Sequence, residues 1–74
     1  MNIRIGMKVR EKFGPARREG IIAKIPDFPG GFYCILEICL NDDVKFFEKR
    51  YQDLVIIGGP NNFYIRYINN LIFI

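Results

Sequence analysis

The sequence predicts an all-β fold, a small barrel of five strands followed by a C-terminal extension. Three observations carry that expectation. Apolar and charged residues alternate strictly near the N-terminus, the period of a half-buried strand. Gly, Pro, Asn and Asp clusters then recur every several residues, too often for long helices. The chain has 74 residues and half of them are apolar, enough for one small core with a surplus left for the surface.

The first strand is read over residues 3–13. Ile3, Ile5, Met7, Val9 and Phe13 fall on odd positions and Arg4, Lys8, Arg10 and Lys12 on even ones, which gives one apolar and one basic face. Gly6 interrupts the pattern and marks a bend or bulge. Gly14-Pro15 ends the strand and Gly20 ends the loop that follows. The apolar run Ile21–Ile25 is a second, short strand stopped by Pro26, and Asp27-Phe28-Pro29-Gly30-Gly31 is a turn.

Residues 32–40 form the longest strand expected. Phe32, Cys34, Leu36, Ile38 and Leu40 share one face, and Tyr33, Ile35, Glu37 and Cys39 the other. Both faces are largely apolar, so this strand is central or its outer face is covered. Asn41-Asp42-Asp43 is a hairpin turn, Val44–Glu48 the returning strand, residues 49–53 one helical turn and Leu54–Ile57 the last strand. In chain order this is the pattern of an SH3-like barrel over residues 1–57.

Residues 58–74 are the extension, opened by Gly58-Gly59-Pro60-Asn61-Asn62. Its apolar part, residues 63–74, has two readings. Asn69-Asn70 can turn a hairpin, or Asn62 can cap a short helix with Arg66, Asn69 and Asn70 as its polar stripe. The Tyr, Phe and Ile content favours the hairpin.

Composition excludes much chemistry. The chain contains no Ser, Thr, His or Trp, so neither a hydroxyl nucleophile of the Ser or Thr kind nor an imidazole base is available. Cys34 and Cys39 lie five residues apart in one expected strand, roughly 16 Å at ~3.3 Å per residue, beyond disulfide reach. Two cysteines without histidine make a poor zinc site. Asp42, Asp43 and Glu48 are ordinary hairpin residues rather than a metal or acid–base cluster. No enzyme activity, cofactor or metal is expected. With no signal-like run and no long apolar span, neither secretion nor a membrane is expected; the expectation is a soluble, cytoplasmic protein.

Net charge is +3, but residues 1–24 carry seven basic and two acidic side chains, so the N-terminal third alone holds +5. A basic N-terminal third points to an anionic partner. Lys12, Arg17, Arg18 and Lys24 are the candidate phosphate contacts about the first loop, with Phe13 or Tyr33 (and Phe28 beside them) as stacking platforms for nucleic acid or a ribonucleoprotein. Phe32, Tyr33, Phe46, Phe47 and Tyr51, with Asp42 and Asp43, are the candidates for an aromatic cage, read more simply as core plus one exposed ring. The second candidate surface is the tail. Phe63, Tyr64, Ile65, Tyr67, Ile68, Leu71 and Phe73 are positioned to dock on a protein partner or a second copy of the chain.

Two resemblances follow from these residues. Gly6, Val9, Gly14, Gly20, Ile22 and Ile25 resemble the KOW motif of ribosomal and transcription-elongation proteins, which implies a glycine-bounded basic loop that meets RNA or a protein. The loop is one residue shorter than usual and lacks the second internal glycine. Residues 5–57, opening with Ile5-Gly6-Met7-Lys8-Val9-Arg10-Glu11-Lys12-Phe13-Gly14, resemble the type II, plasmid-borne dihydrofolate reductases, which are SH3-like barrels. Their Val-Gln-Ile-Tyr stretch is replaced here by Val44-Lys45-Phe46-Phe47, so that resemblance implies the fold without the reductase chemistry. Tudor-like barrels share the same architecture.

Overall fold

The computed structural model describes residues 3–38 and 43–72. Five antiparallel strands form one sheet: β1 (Lys8–Glu11), β2 (Glu19–Lys24), β3 (Phe32–Glu37), β4 (Phe46–Arg50) and β5 (Leu54–Gly58). A 3₁₀ turn, Tyr51–Asp53, joins β4 to β5, and a helix, α1 (Asn62–Ile72), is the last described element. The strand order is β4-β3-β2-β1-β5, so β4 and β5 are the two edges and the sheet is open between them.

The open sheet is strongly curled. Val9, Ile22, Ile35, Phe47 and Leu54, one residue from each strand, belong to a single buried cluster with Ile3 and Met7. In a flat sheet β1 and β4 would stand roughly 14 Å apart, three strand spacings. Yet Lys49 of β4 places its Nζ 3.2 Å from the Glu11 carboxylate of β1. Only curling brings those two side chains together across the concave face.

Alternation sorts β2 and β3 as the sequence implies. Ile22 pairs with Ile35 on the concave face, and Ile21 pairs with Leu36 on the convex one. All four are buried, and β3 lies inside the sheet with both faces covered. Phe47 points inward and is buried, whereas Phe46 is exposed on the opposite face. Gly20 does not end the loop but lies within β2, opposite Glu37. A methyl group there would overlap the Leu36 carbonyl oxygen and the Ile35 side chain. The glycine therefore serves close strand approach rather than a special φ.

The first strand is shorter than residues 3–13. The chain turns at Ile5-Gly6, with Gly6 at φ +90, and β1 begins only at Lys8, with a register shift against β5 between Lys8 and Val9. A side chain at Gly6 would meet Ile65 of the helix at 2.6 Å. Gly30, at φ +81, closes the β2–β3 turn, where the Gly31 N–H donates to the Phe28 carbonyl. Asn41 and Asp42 of the expected Asn41-Asp42-Asp43 hairpin lie outside the described residues, as do Cys39 and Leu40.

The C-terminal extension is the main correction. It is a helix, not the hairpin its residue types favour. Asn61, one residue before the expected cap, accepts the Phe63 N–H on its Oδ1 at 2.8 Å. Ile68 is buried against Ile21, Ala23 and Leu36, with Tyr64 and Leu71 beside it. Strand propensity loses because β2 and β3 are apolar on their convex side and need a cover. Helical spacing puts Tyr64, Ile65, Ile68 and Leu71 on one stripe to supply it. Arg66, Asn69 and Asn70 remain exposed as the polar stripe.

Candidate nucleic-acid interface

The loop between β1 and β2 is held at its base by a carboxylate. Glu11 occupies an odd, inward position of β1 and is only 6% exposed. It accepts three hydrogen bonds from Arg18: from the backbone N–H at 2.8 Å, from Nε at 2.7 Å and from Nη2 at 3.3 Å. With Lys49 sharing its Oε2 with the Arg18 Nη2, Glu11 sits between two cations. The Arg18 hydrogen bond is the main reason its pKa falls from 4.5 to about 2, against a burial effect that would raise it. The same pairing pushes Arg18 up. The Arg18 guanidinium also stacks 4.2 Å from the Phe47 ring centre. The Glu11 N–H donates to the Arg18 carbonyl at 2.9 Å, and the Lys12 N–H to the Asp53 carbonyl at 2.8 Å. The two ends of the loop are thus tied to each other and to the 3₁₀ turn.

Above that base the residues from Lys12 to Arg17 are exposed. Gly14 has φ +101 in open space, so its role is conformational. Arg17 adopts φ +44, the left-handed region that a non-glycine residue enters at a cost of about 1–2 kcal/mol. Neither Lys12 nor Arg17 is ion-paired among the described residues. Phe13 is 65% exposed, with the Lys12 Nζ 5.8 Å from its ring centre.

The expected cluster of four cations therefore divides. Lys12 and Arg17 stand free on the loop, and Arg18 is committed to Glu11. Lys24 lies at the far end of β2, five strand steps from Glu19 and roughly 16 Å from the loop. There it borders a groove with Pro26, Asp27, Phe28, Phe32, Cys34 and Glu48. Phe13 is available as a stacking face; Tyr33 is not, because it packs half-buried against the concave core.

The five aromatics of the possible cage do not converge. Tyr33 and Phe47 face inward, Phe32 and Phe46 outward, and Tyr51 sits in the 3₁₀ turn. Arg50 already occupies the Phe32 face at 4.8 Å. Asp42 lies outside the described residues. Cys34 is half-buried, and burial pushes its thiol pKa up, away from reactivity.

Comparison with protein-family models, with curated proteins and with solved structures finds no match to this chain. Among the described residues no helix is long and apolar enough to cross a membrane.

The tail residues divide as well. Tyr64, Ile68 and Leu71 pack on the chain's own sheet and Ile65 lies over Gly6, whereas Phe63 and Tyr67 are exposed, at 71% and 44%. Phe73 lies outside the described residues. The residue missed from sequence is Glu11. It was the one charged side chain on the apolar, odd-numbered face of the first strand, and that mismatch was its signal.

Proposed function

We propose that the protein is a non-enzymatic binding module that contacts nucleic acid or a ribonucleoprotein through the β1–β2 loop. The observation that carries this reading is the pairing of two free cations, Lys12 and Arg17, with an exposed Phe13 on a loop whose base is locked. The lock matters because a pre-positioned loop loses less freedom on binding than a floppy one. Within this reading the fold is a partly open SH3-like barrel. Its support is the strand order, the 3₁₀ turn before β5 and the shared concave core. The KOW-like placement of Gly6 and Gly14 agrees with it, and the proposed setting is the cytoplasm.

Arg18 contributes indirectly, by holding the loop through Glu11. Titration of short RNA and DNA against salt tests the reading. Replacing Lys12 and Arg17 together with Gln should lower the log–log salt slope by about 1.4 for single strands, two contacts at ~0.7 each. Arg18→Gln should instead lower thermal stability. No binding at low ionic strength, or an unchanged slope in the double variant, defeats the proposal.

A second reading has its own observation. Phe63 and Tyr67 leave an apolar flank on α1 that is not used against the sheet, a surface for a protein partner or a second copy. Light scattering tests self-association: a dimer that becomes monomeric on Phe63→Ser with Tyr67→Ser supports it.

A further inference from the structure

We infer that the cavity between the β1–β2 loop and the 3₁₀ turn is a pocket for one unstacked nucleobase, so that the nucleic acid met by the loop is single-stranded. This rests on the nucleic-acid reading above and names its substrate class. The cavity measures ≈ 330 Å³ and is lined by Ile3, Lys12, Tyr51, Gln52, Leu54 and Ile56. Ligand pockets span about 300–1,000 Å³. This one is at the small end, suited to a single planar ring system rather than an extended ligand.

Its chemistry matches what a base requires. Ile3 and Leu54 are buried and form an apolar floor. Tyr51, 47% exposed, offers an aromatic face for stacking. Gln52 is exposed and carries both a donor and an acceptor, able to read a base edge. Lys12 is the single charged lining residue among those described, placed to meet a phosphate as the base enters. Phe13, one residue on, gives a second stacking face for a neighbouring base. The Lys12 N–H bond to the Asp53 carbonyl fixes the loop against the turn, so these groups keep their relative positions.

The groove at the other end of the sheet sharpens the assignment. It has two Phe rings and Lys24, but Asp27 and Glu48 line it too. Those carboxylates would repel a phosphate backbone, whereas among the described residues the lining of the Tyr51 pocket contains none. A duplex keeps its bases paired and stacked, so filling the pocket from a duplex would cost the unpairing of one.

The test is fluorescence anisotropy on the full chain with three labelled probes: a short oligouridylate, the same strand annealed to its complement, and an abasic strand of equal length. The wild type should bind the oligouridylate most tightly. Tyr51→Leu should weaken that binding about 5- to 150-fold, the range of one lost stacking contact, without changing the salt slope or the affinity for the duplex. Tyr51→Phe should restore it. Equal affinity for all three probes overturns the pocket, as does a Tyr51→Leu variant of unchanged melting temperature that binds like the wild type. In either case a salt slope lowered by Lys12→Gln with Arg17→Gln leaves the loop reading standing. No binding to any probe at low salt defeats both.

Discussion

The two faces of the sheet are closed by different means. The concave face closes on itself: all five strands contribute to one cluster, and its end near the β1–β2 loop holds the Arg18–Glu11–Lys49 group. The convex face of β2 and β3 is closed by a separate element, α1, which buries Ile68 on Ile21, Ala23 and Leu36. The difference teaches how apolar surplus in a short chain should be read. Residues that look like a docking surface can be the cover that the chain's own sheet requires. It also separates two kinds of support. The interior carboxylate serves the exposed loop, while the helix serves the sheet.

The comparison is broken most severely from the concave side. Ile22 has no exposed surface and faces Ile35 at the centre of the cluster. Ile22→Ala should cost about 4 kcal/mol in urea unfolding, because a cavity ringed by five strands cannot collapse. For a domain this small that approaches its whole stability, so a folded variant with a loss below ~1 kcal/mol would contradict the packing described.

Removing Glu11 is the next largest effect. Glu11→Ala leaves Arg18 and Lys49 facing each other without their carboxylate. Loss of one partner from a buried ion pair costs about 3–5 kcal/mol, and here the lower figure applies because both cations reach solvent. The wild type should show the matching acid dependence. Glu11 ionises near 2 in the folded protein and near 4.5 otherwise, so its contribution is fully present above pH 4.5 and is lost as pH falls towards 2. Glu11→Gln should flatten that part of the stability–pH profile. The chain has no histidine, so side-chain titration near pH 6–7 should not move stability.

How much of this was legible in the sequence depended on the range of the interaction. Period-two alternation sorted Ile35 from Leu36 and Phe46 from Phe47, because a strand's faces are set by neighbouring residues alone. The turns at Gly6 and Gly30 were legible for the same reason, whereas Gly20, read as a loop end, lies inside β2. The helix was not, since a run of Ile, Phe and Tyr is ambiguous until one knows which apolar face it must cover. Arg17 and Arg18 were indistinguishable as letters. What separates them is Glu11, seven residues before Arg18, and Lys49, a neighbour only after the sheet curls. Lys24 was grouped with the loop by sequence distance, which an extended strand converts into separation.

The smallest effect is expected on the helix, and it sharpens the comparison most. Ile68 is as deeply buried as the concave residues, at 2% exposed. Its cluster, however, lies between a sheet and one helix attached by a single linker. Such an element can settle into the space left by a deleted side chain, and the cost of a core truncation depends on how well its site collapses. Ile68→Ala should therefore cost about 2 kcal/mol, half the figure for Ile22→Ala, despite similar burial. Loss of the cover should also leave the β1–β2 loop in place, because Glu11, Arg18 and Lys49 lie on the other face. Ile68→Ala should thus bind oligouridylate with the wild-type salt slope at a temperature where it is folded. Equal costs for the two substitutions would mean that the helix is as rigidly locked as the strands. A changed slope would mean that cover and loop are coupled through the sheet.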